Sequence, residues 1–273
     1  MSEQLAVLRA DGDEPAPLGV TRLVLSRIYT ICLIELQKLR HDRTELVIRA
    51  IQPALWLVVF GETFTRLRTI PTGNVPYLDY LAPGVIAQSA QFIAIFFGIQ
   101  LIWERDAGVL AKLLVTPTPR VALVTGKALA AAVRALVQAL VVLVLAALLG
   151  VAVTGNPVRL LVAAAVVILG SMFFCGLSIV IAGLVLTRDR LTGIGQAITM
   201  PLFFASSALY PVNLMPDWLK VINHVNPLGY EVDALRGLLI GTPAQLALDF
   251  GVLMAVSTVM VGIASAQLGR LAR

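Results

Sequence analysis

Charge is scarce in this chain: 14% of its 273 residues are Asp, Glu, Lys or Arg, against about 25% in a water-soluble domain. A compact globule with so few charges cannot cover its own apolar surface. With 58% hydrophobic residues and a mean hydropathy of +0.88, an ordinary soluble enzyme is excluded and a lipid environment indicated. Aromatics are also few, at 7%, so the apolar excess is aliphatic. There are two cysteines, Cys32 and Cys175, both in apolar helical contexts. Their spacing fits neither a disulfide nor a metal site, and they read as small buried hydrophobes. The net charge of +5 lacks the basic stripe with interleaved aromatics that nucleic acid requires. Cations lie scattered between long uncharged runs, as in loops held on the inner side of a membrane.

What the chain does have is long apolar runs. A bilayer core needs about 20 apolar helical residues. Five charge-free runs reach that length: 80–102, 135–158, 160–187, 191–216 and 250–269. A sixth, Leu46 to Phe64, carries Arg49 and Glu62 near its ends and Pro53 inside it. A long cationic side chain near a helix end snorkels to the headgroups, and proline is tolerated in such helices. Six crossings are expected, with both termini on one side. That side then holds fourteen Lys and Arg against five opposite (Arg66, Arg68, Arg159, Lys220 and Arg236), so both termini are expected to be cytoplasmic.

Residues 1–17 are acidic and proline-bearing and read as a flexible cytoplasmic tail, not a signal peptide. Residues 18–43 have an apolar side (Leu23, Val24, Ile28, Ile31, Leu39) and a polar one, as in an amphipathic interfacial helix. Packing of that helix against the protein itself explains the pattern equally well. Residues 44–273 form the six-helix transmembrane domain.

Catalytic constellations are not found. Gly126-Lys127 resembles the end of a phosphate-binding loop, but Val121 and Ala128 replace the glycine and hydroxyl that such a loop needs. Gly176-Leu177-Ser178 is not a nucleophile elbow, because Val180 stands where glycine is required. His41 and His224 fall on opposite sides of the expected membrane, so neither a Ser–His nor a His–carboxylate pair assembles. The acidic relay of a proton-coupled carrier is missing. Arg49 and Arg134 are the ionisable groups within spans, read as anchors or packing residues. Small residues in one run (Gly170, Ser171, Gly176, Ser178, Gly183) permit close helix contact.

Two connecting segments stand out. The inner one joins a charged cluster, Glu104, Arg105 and Asp106, to an apolar set at Val109, Leu110, Leu113 and Leu114, stopped by Pro117 and Pro119. A short amphipathic helix of this kind fits a groove on another protein or lies on lipid. The outer one, Tyr210 to Arg236, has intermediate hydrophobicity and three prolines and is expected to dip into the outer leaflet and return. Trp218 and Tyr230 suit its headgroup zone.

With these segments the chain resembles, from about Leu18 onward, the membrane (permease) subunits of type-2 ABC exporters, the family of daunorubicin-type drug exporters and polysaccharide exporters. One signature of that family is matched by Glu104-Arg105, Gly108, Leu113-Leu114-Val115, Pro117 and Gly126-Lys127. Another is matched by Pro211, Pro216-Asp217-Trp218-Leu219, Asn226-Pro227 and Asp233 to Arg236. The resemblance implies an all-α membrane protein with six transmembrane helices, an N-terminal interfacial helix, a cytoplasmic coupling helix and an extracellular re-entrant segment. It implies a second permease subunit, identical or paralogous, and a separate ATPase subunit that binds ATP-Mg, this chain binding no cofactor, metal or nucleic acid and catalysing nothing. Glu104, Arg105, Asp106, Gly108, Leu110, Leu113, Leu114 and Pro117 would couple to the ATPase. Pro211, Pro216, Trp218, Asn226, Pro227, Asp233 and Arg236 would shape the extracellular gate. The expected setting is a bacterial plasma membrane. Few aromatics and some polar groups among aliphatics (Gln88, Gln91, Gln100, Ser206, Ser207) favour an amphipathic drug or lipid as cargo over a polysaccharide or lipid-linked glycan. The rival classes are an ion-driven secondary transporter and an intramembrane enzyme.

Overall fold

A computed structural model describes residues 43–67, 70–73, 75–108, 119–185 and 188–271, with positions 26, 29, 30, 33 and 37. The expected tail and most of the expected interfacial helix lie outside these residues. The described residues are nearly all helical, without a strand. The elements are α1 (Arg43–Leu55), a π-helical segment (Trp56–Gly61), α2 (Glu62–Leu67), α3 (Tyr77–Asp106), α4 (Arg120–Leu148), α5 (Pro157–Val185), α6 (Arg188–Phe204), α7 (Asp217–Val225), α8 (Pro227–Leu239) and α9 (Leu246–Leu271).

Four helices are long and apolar enough to cross a membrane: α3, α4, α5 and the Leu246–Leu268 part of α9. At 1.5 Å per residue, the 29 residues of α4 reach about 44 Å, more than the hydrocarbon core requires. The third crossing is therefore displaced from its expected place. The helix starts at Arg120, behind the helix-starting Pro119, and stops at Leu148, where Gly150 adopts φ +91°. Lys127 and Arg134 lie inside it, and Arg159 lies in the first turn of α5 rather than in a loop. A charge-free window misplaced this helix because long basic side chains are tolerated over its first turns.

Residues 191–216 were expected to form one crossing, but α6 ends at Phe204. Beyond it the chain turns on Ser206, whose Oγ donates to the Phe203 carbonyl and accepts from the Ala208 N–H. Both later Asn-Pro pairs start helices. Asn156 Oδ1 accepts from Val158 N at 2.9 Å, and Asn226 Oδ1 from Leu228 N at 3.1 Å, each with proline at the first helical position.

The apolar α5 is the hub, packed by α3, α4, α8 and α9. Small residues set its contacts. A Cβ on Gly98 of α3 would stand 2.5 Å from Ser178 Cβ and 2.9 Å from the Cys175 carbonyl oxygen. Ser178 Oγ donates back to the Ile95 carbonyl at 2.7 Å, and Cys175 is buried as expected. On the other side, Gly170 leaves room for the carboxyl of Glu231 from α8, and Gly176 for Met260 from α9. In α9, Met254, Val259 and Ile263 remain outward-facing, the pattern of a helix against lipid.

Glu231 is 0% exposed, and neither carboxyl oxygen has a hydrogen-bond partner. A charged carboxylate is the costliest group to bury so, and an amide of the same size is cheaper. Glu231→Gln is expected to leave the melting temperature of the detergent-purified protein unchanged or raised. A fall of several degrees would show that the carboxylate finds a partner this fold does not supply.

Candidate functional site

The first helical stretch runs unbroken from Arg43 to Leu67, with the π-helical segment starting at Trp56, just after Pro53. Proline removes one backbone donor, and a π-helical register is a common way to absorb the break. An aromatic ladder anchors the stretch: Trp56 on Phe60 (centroids 4.4 Å), Phe60 on Phe64 (6.0 Å) and Phe64 on Tyr77 of α3 (5.4 Å). Trp56 also meets Phe203 of α6 edge-on at 5.5 Å.

At the Asp106 end of α3 the two halves of one sequence signature meet. Glu104 forms an ion pair with Lys127 of α4, and both side chains are mostly buried. The second carboxylate oxygen of Glu104 is buried without a partner. Lys127 and Arg134 both stand over the Phe97 ring, at 5.8 and 5.3 Å from its centroid. A cation over a ring face gains attraction from the ring quadrupole. Arg105 binds its neighbour Asp106 at 2.9 Å. Gly108 ends the helix at φ +72°, a left-handed conformation that glycine adopts without steric cost. Of the expected coupling segment, Glu104, Arg105 and Asp106 complete the long α3, which ends before Gly108. Leu110, Leu113, Leu114 and Pro117 lie outside the described residues.

A second polar cluster ties α8 to α3 and to the chain after α6. Arg236 is 7% exposed. Its guanidinium donates to Asp233 Oδ1 at 3.0 Å and to the Ser207 carbonyl at 2.7 Å, and it lies 3.8 Å from the Tyr80 ring centroid. Ser207 Oγ donates to Asp233 at 2.7 Å, while Tyr80 and Tyr77 donate to the carbonyls of Ser207 and Leu209. Gly84 permits the approach, because a Cβ there would stand 2.6 Å from the Ala208 carbonyl oxygen. Asn226 Nδ2 donates to the Leu202 carbonyl at 2.7 Å. At the far end of α8, the Leu239 carbonyl accepts from Thr154 N at 2.8 Å. The 13-residue α8 therefore runs from the last turn of α6 to the α4–α5 connection, about 20 Å.

Of the remaining residues expected at this end, Pro211 and Pro216 flank the 3-10 turn Val212–Leu214, and Pro216 caps α7. Trp218 is 65% exposed. With Val221, Ile222 and Val225 it forms an outward apolar stripe on α7, at helical spacing. Asp217 opens that helix. A hydrogen bond from Lys220, and its charge, hold the exposed carboxyl below the usual carboxylate range.

Sequence reasoning located Asp233, Arg236, Asn226 and Glu104 but not the partners Tyr77, Tyr80 and Ser207, nor the role of Lys127. Tyr77 and Tyr80 sit one turn apart at the start of an apolar run, and that pairing was the available signal. Of the polar residues noted in spans, Gln88 is buried toward a cleft, while Gln91 is buried in the core with both amide atoms unpartnered.

Residues 26–240 match a family described as ABC-2 type transporter. The chain is 29% identical over 207 residues to a transport permease named ycf38 of Cyanophora paradoxa, covering 74% of this chain and 70% of that one. It is 27% identical over 256 residues to the Mycobacterium tuberculosis protein named doxorubicin resistance ABC transporter permease DrrC, covering 88% and 85%. Nodulation protein J of Rhizobium leguminosarum is 29% identical over 200 residues, covering 72% and 76%. The family match spans well over half the chain, with both polar clusters inside it, and the chain belongs to the ABC-2 type transporter family of membrane permeases.

Proposed function

We propose that this chain is the membrane half of an ABC exporter, moved by a separate ATPase subunit that carries the ATP-Mg. The observation that carries the proposal is the Glu104–Lys127 pair. It fastens the ends of α3 and α4 on either side of the segment that resembles a coupling helix, so a push on that segment displaces both helices together. Differential nucleotide binding on the partner then biases the membrane subunit between inward- and outward-open states. Two permease subunits, identical or paralogous, enclose the path.

In this reading the chain crosses six times. The stretch Arg43–Leu67 is the first crossing, at about 37 Å. Helix α6 supplies the fifth, ending at Phe204 where the chain turns. Residues 1–17 form a cytoplasmic tail and 18–43 an interfacial helix. The excess of Lys and Arg supports cytoplasmic termini, in a bacterial plasma membrane. Helices α7 and α8 re-enter the outer leaflet, with Trp218, Val221 and Val225 in the headgroup zone and the Arg236 cluster closing the outer gate. An amphipathic drug or lipid is the favoured cargo, in keeping with sparse aromatics in the spans and with the doxorubicin resistance in the name of one relative.

Affinity purification of the tagged chain from native membranes tests this. An ATP-binding subunit is expected to co-purify and to hydrolyse ATP several-fold faster with the chain than without it. A chain that purifies without such a subunit, from membranes where it is active, would refute the proposal.

A further inference from the structure

A cleft of about 470 Å³ opens between α1, α3, α4 and α6. Two glutamines line its buried part, Gln88 of α3 at 2% exposure and Gln138 of α4 at 1%. The orientation of Gln138 follows from Pro53. Proline has no N–H, so the carbonyl of Arg49, four residues earlier in α1, loses its helical donor. Gln138 Nε2 replaces that donor, 3.3 Å from the Arg49 carbonyl oxygen. With its nitrogen so committed, the amide holds Oε1 as a buried acceptor, and this oxygen has no partner. Across the cleft, Gln88 Nε2 is a buried donor that also has none.

Buried polar groups are almost always paired, because leaving one unmade forfeits its hydration for nothing. An unpaired donor and an unpaired acceptor in one cleft mark a place that a ligand completes. The rest of the lining describes the ligand's body. Phe92 and Phe96 lie nearly parallel, with ring centroids 6.4 Å apart, and Ile93 and Met200 add aliphatic and thioether surface. None of the lining residues is acidic, so an ammonium group entering here meets no counter-charge, and Arg49, the cation in the lining, already has a partner of its own.

We infer that this cleft binds an uncharged amphipath: one amide or hydroxyl group that both donates and accepts, on an aromatic or branched aliphatic body. The site rests on the permease reading only for its place on the export path, and it names the cargo class that reading leaves open. The amide head sits between Gln88 Nε2 and Gln138 Oε1, and the body lies on the two phenyl rings.

The test uses the full chain alone in lipid nanodiscs, with empty nanodiscs as the partition baseline. Four probes share one ring system: naphthaleneacetamide, naphthaleneacetate, naphthylethylamine and methylnaphthalene. Titration is expected to give binding at least tenfold tighter for the acetamide than for the other three. Gln88→Met and the equal-sized Gln88→Glu are each expected to cut the preference for acetamide over methylnaphthalene by about fivefold, as one lost hydrogen bond does. Pro53→Ala returns a donor to the Arg49 carbonyl, so Gln138→Met is made in that background, where the same loss is expected without an orphaned carbonyl. Pro53→Ala alone is the baseline against which that loss is read. Equal affinity for all four probes, tighter binding of the acetate or amine, or a preference that survives Gln88→Met in a chain of unchanged melting temperature would overturn the site. Because binding is read without the ATPase, its failure leaves coupling untouched, and a failure of coupling leaves the binding result standing.

Discussion

Replacing Glu104 with Lys is expected to uncouple ATP hydrolysis from export, lowering transport at least tenfold while the complex still assembles. In the parent, a largely buried carboxylate and ammonium neutralise each other where α3 ends and α4 begins. The substitution sets two cations side by side, with Arg134 near the same Phe97 ring. Losing one partner of a fully buried pair costs about 3–5 kcal/mol. With both side chains still partly wet, about 1–3 kcal/mol is a fitting scale. Since 1.4 kcal/mol is a factor of ten, splaying the two helix ends is enough to disconnect them. The reciprocal exchange, Glu104→Lys with Lys127→Glu, restores the pair and is expected to recover most of the coupling. Export and ATPase rates measured on the same preparation distinguish the outcomes. An exchange that recovers the melting temperature but not transport would mean that Glu104 acts on the partner's surface rather than through Lys127.

The other large effect is expected at Arg236. Its guanidinium contacts Asp233, the Ser207 carbonyl and the Tyr80 face together. Arg236→Ala leaves Asp233 without its cation and the Ser207 carbonyl with fewer donors, at a cost of about 2–5 kcal/mol. That corresponds to a fall in melting temperature of roughly 5–15 °C for a chain of this size. Arg236→Lys is expected to rescue little, because an ammonium cannot reach two acceptors while lying flat on a ring. The exposed Trp218 serves as the contrast, and Trp218→Ala should shift the melting temperature by no more than about 2 °C. Equal effects of the two alanine substitutions would refute the clamp.

Much of the helical order was legible in the sequence because lipid imposes length and apolarity on each crossing. The Asn-Pro pairs at 156–157 and 226–227 offered a further signal, the ordinary capping chemistry that starts a helix at each. The start of α4 did not, because Lys127 and Arg134 interrupt the apolar pattern. What permits them there is the Phe97 ring and the Glu104 carboxylate on another helix, invisible to a window of local sequence. The end of α6 was missed for the opposite reason: residues 205–216 are apolar enough for a crossing, and the bond between Ser206 and Phe203 turns the chain instead. At the polar clusters, residue type exposed the charged members but not their neutral partners. Tyrosine hydroxyls bonded to carbonyls more than a hundred residues away leave no trace in spacing. Gln138 and Pro53 belong to the same class, since a donor missing from one helix is supplied by the next.

The most direct measurement is vesicle transport with the subunits separated. Inside-out vesicles holding the chain alone, or the chain with its ATPase subunit, are given ATP in the outer medium, where the cytoplasmic face lies, and tested for uptake of doxorubicin, naphthaleneacetamide and a fluorescent phospholipid. Uptake of at least one probe is expected only when both subunits and ATP are present, and none from the chain alone under a proton or sodium gradient. Gradient-driven uptake by the chain alone would contradict the assignment of its energy source to a partner.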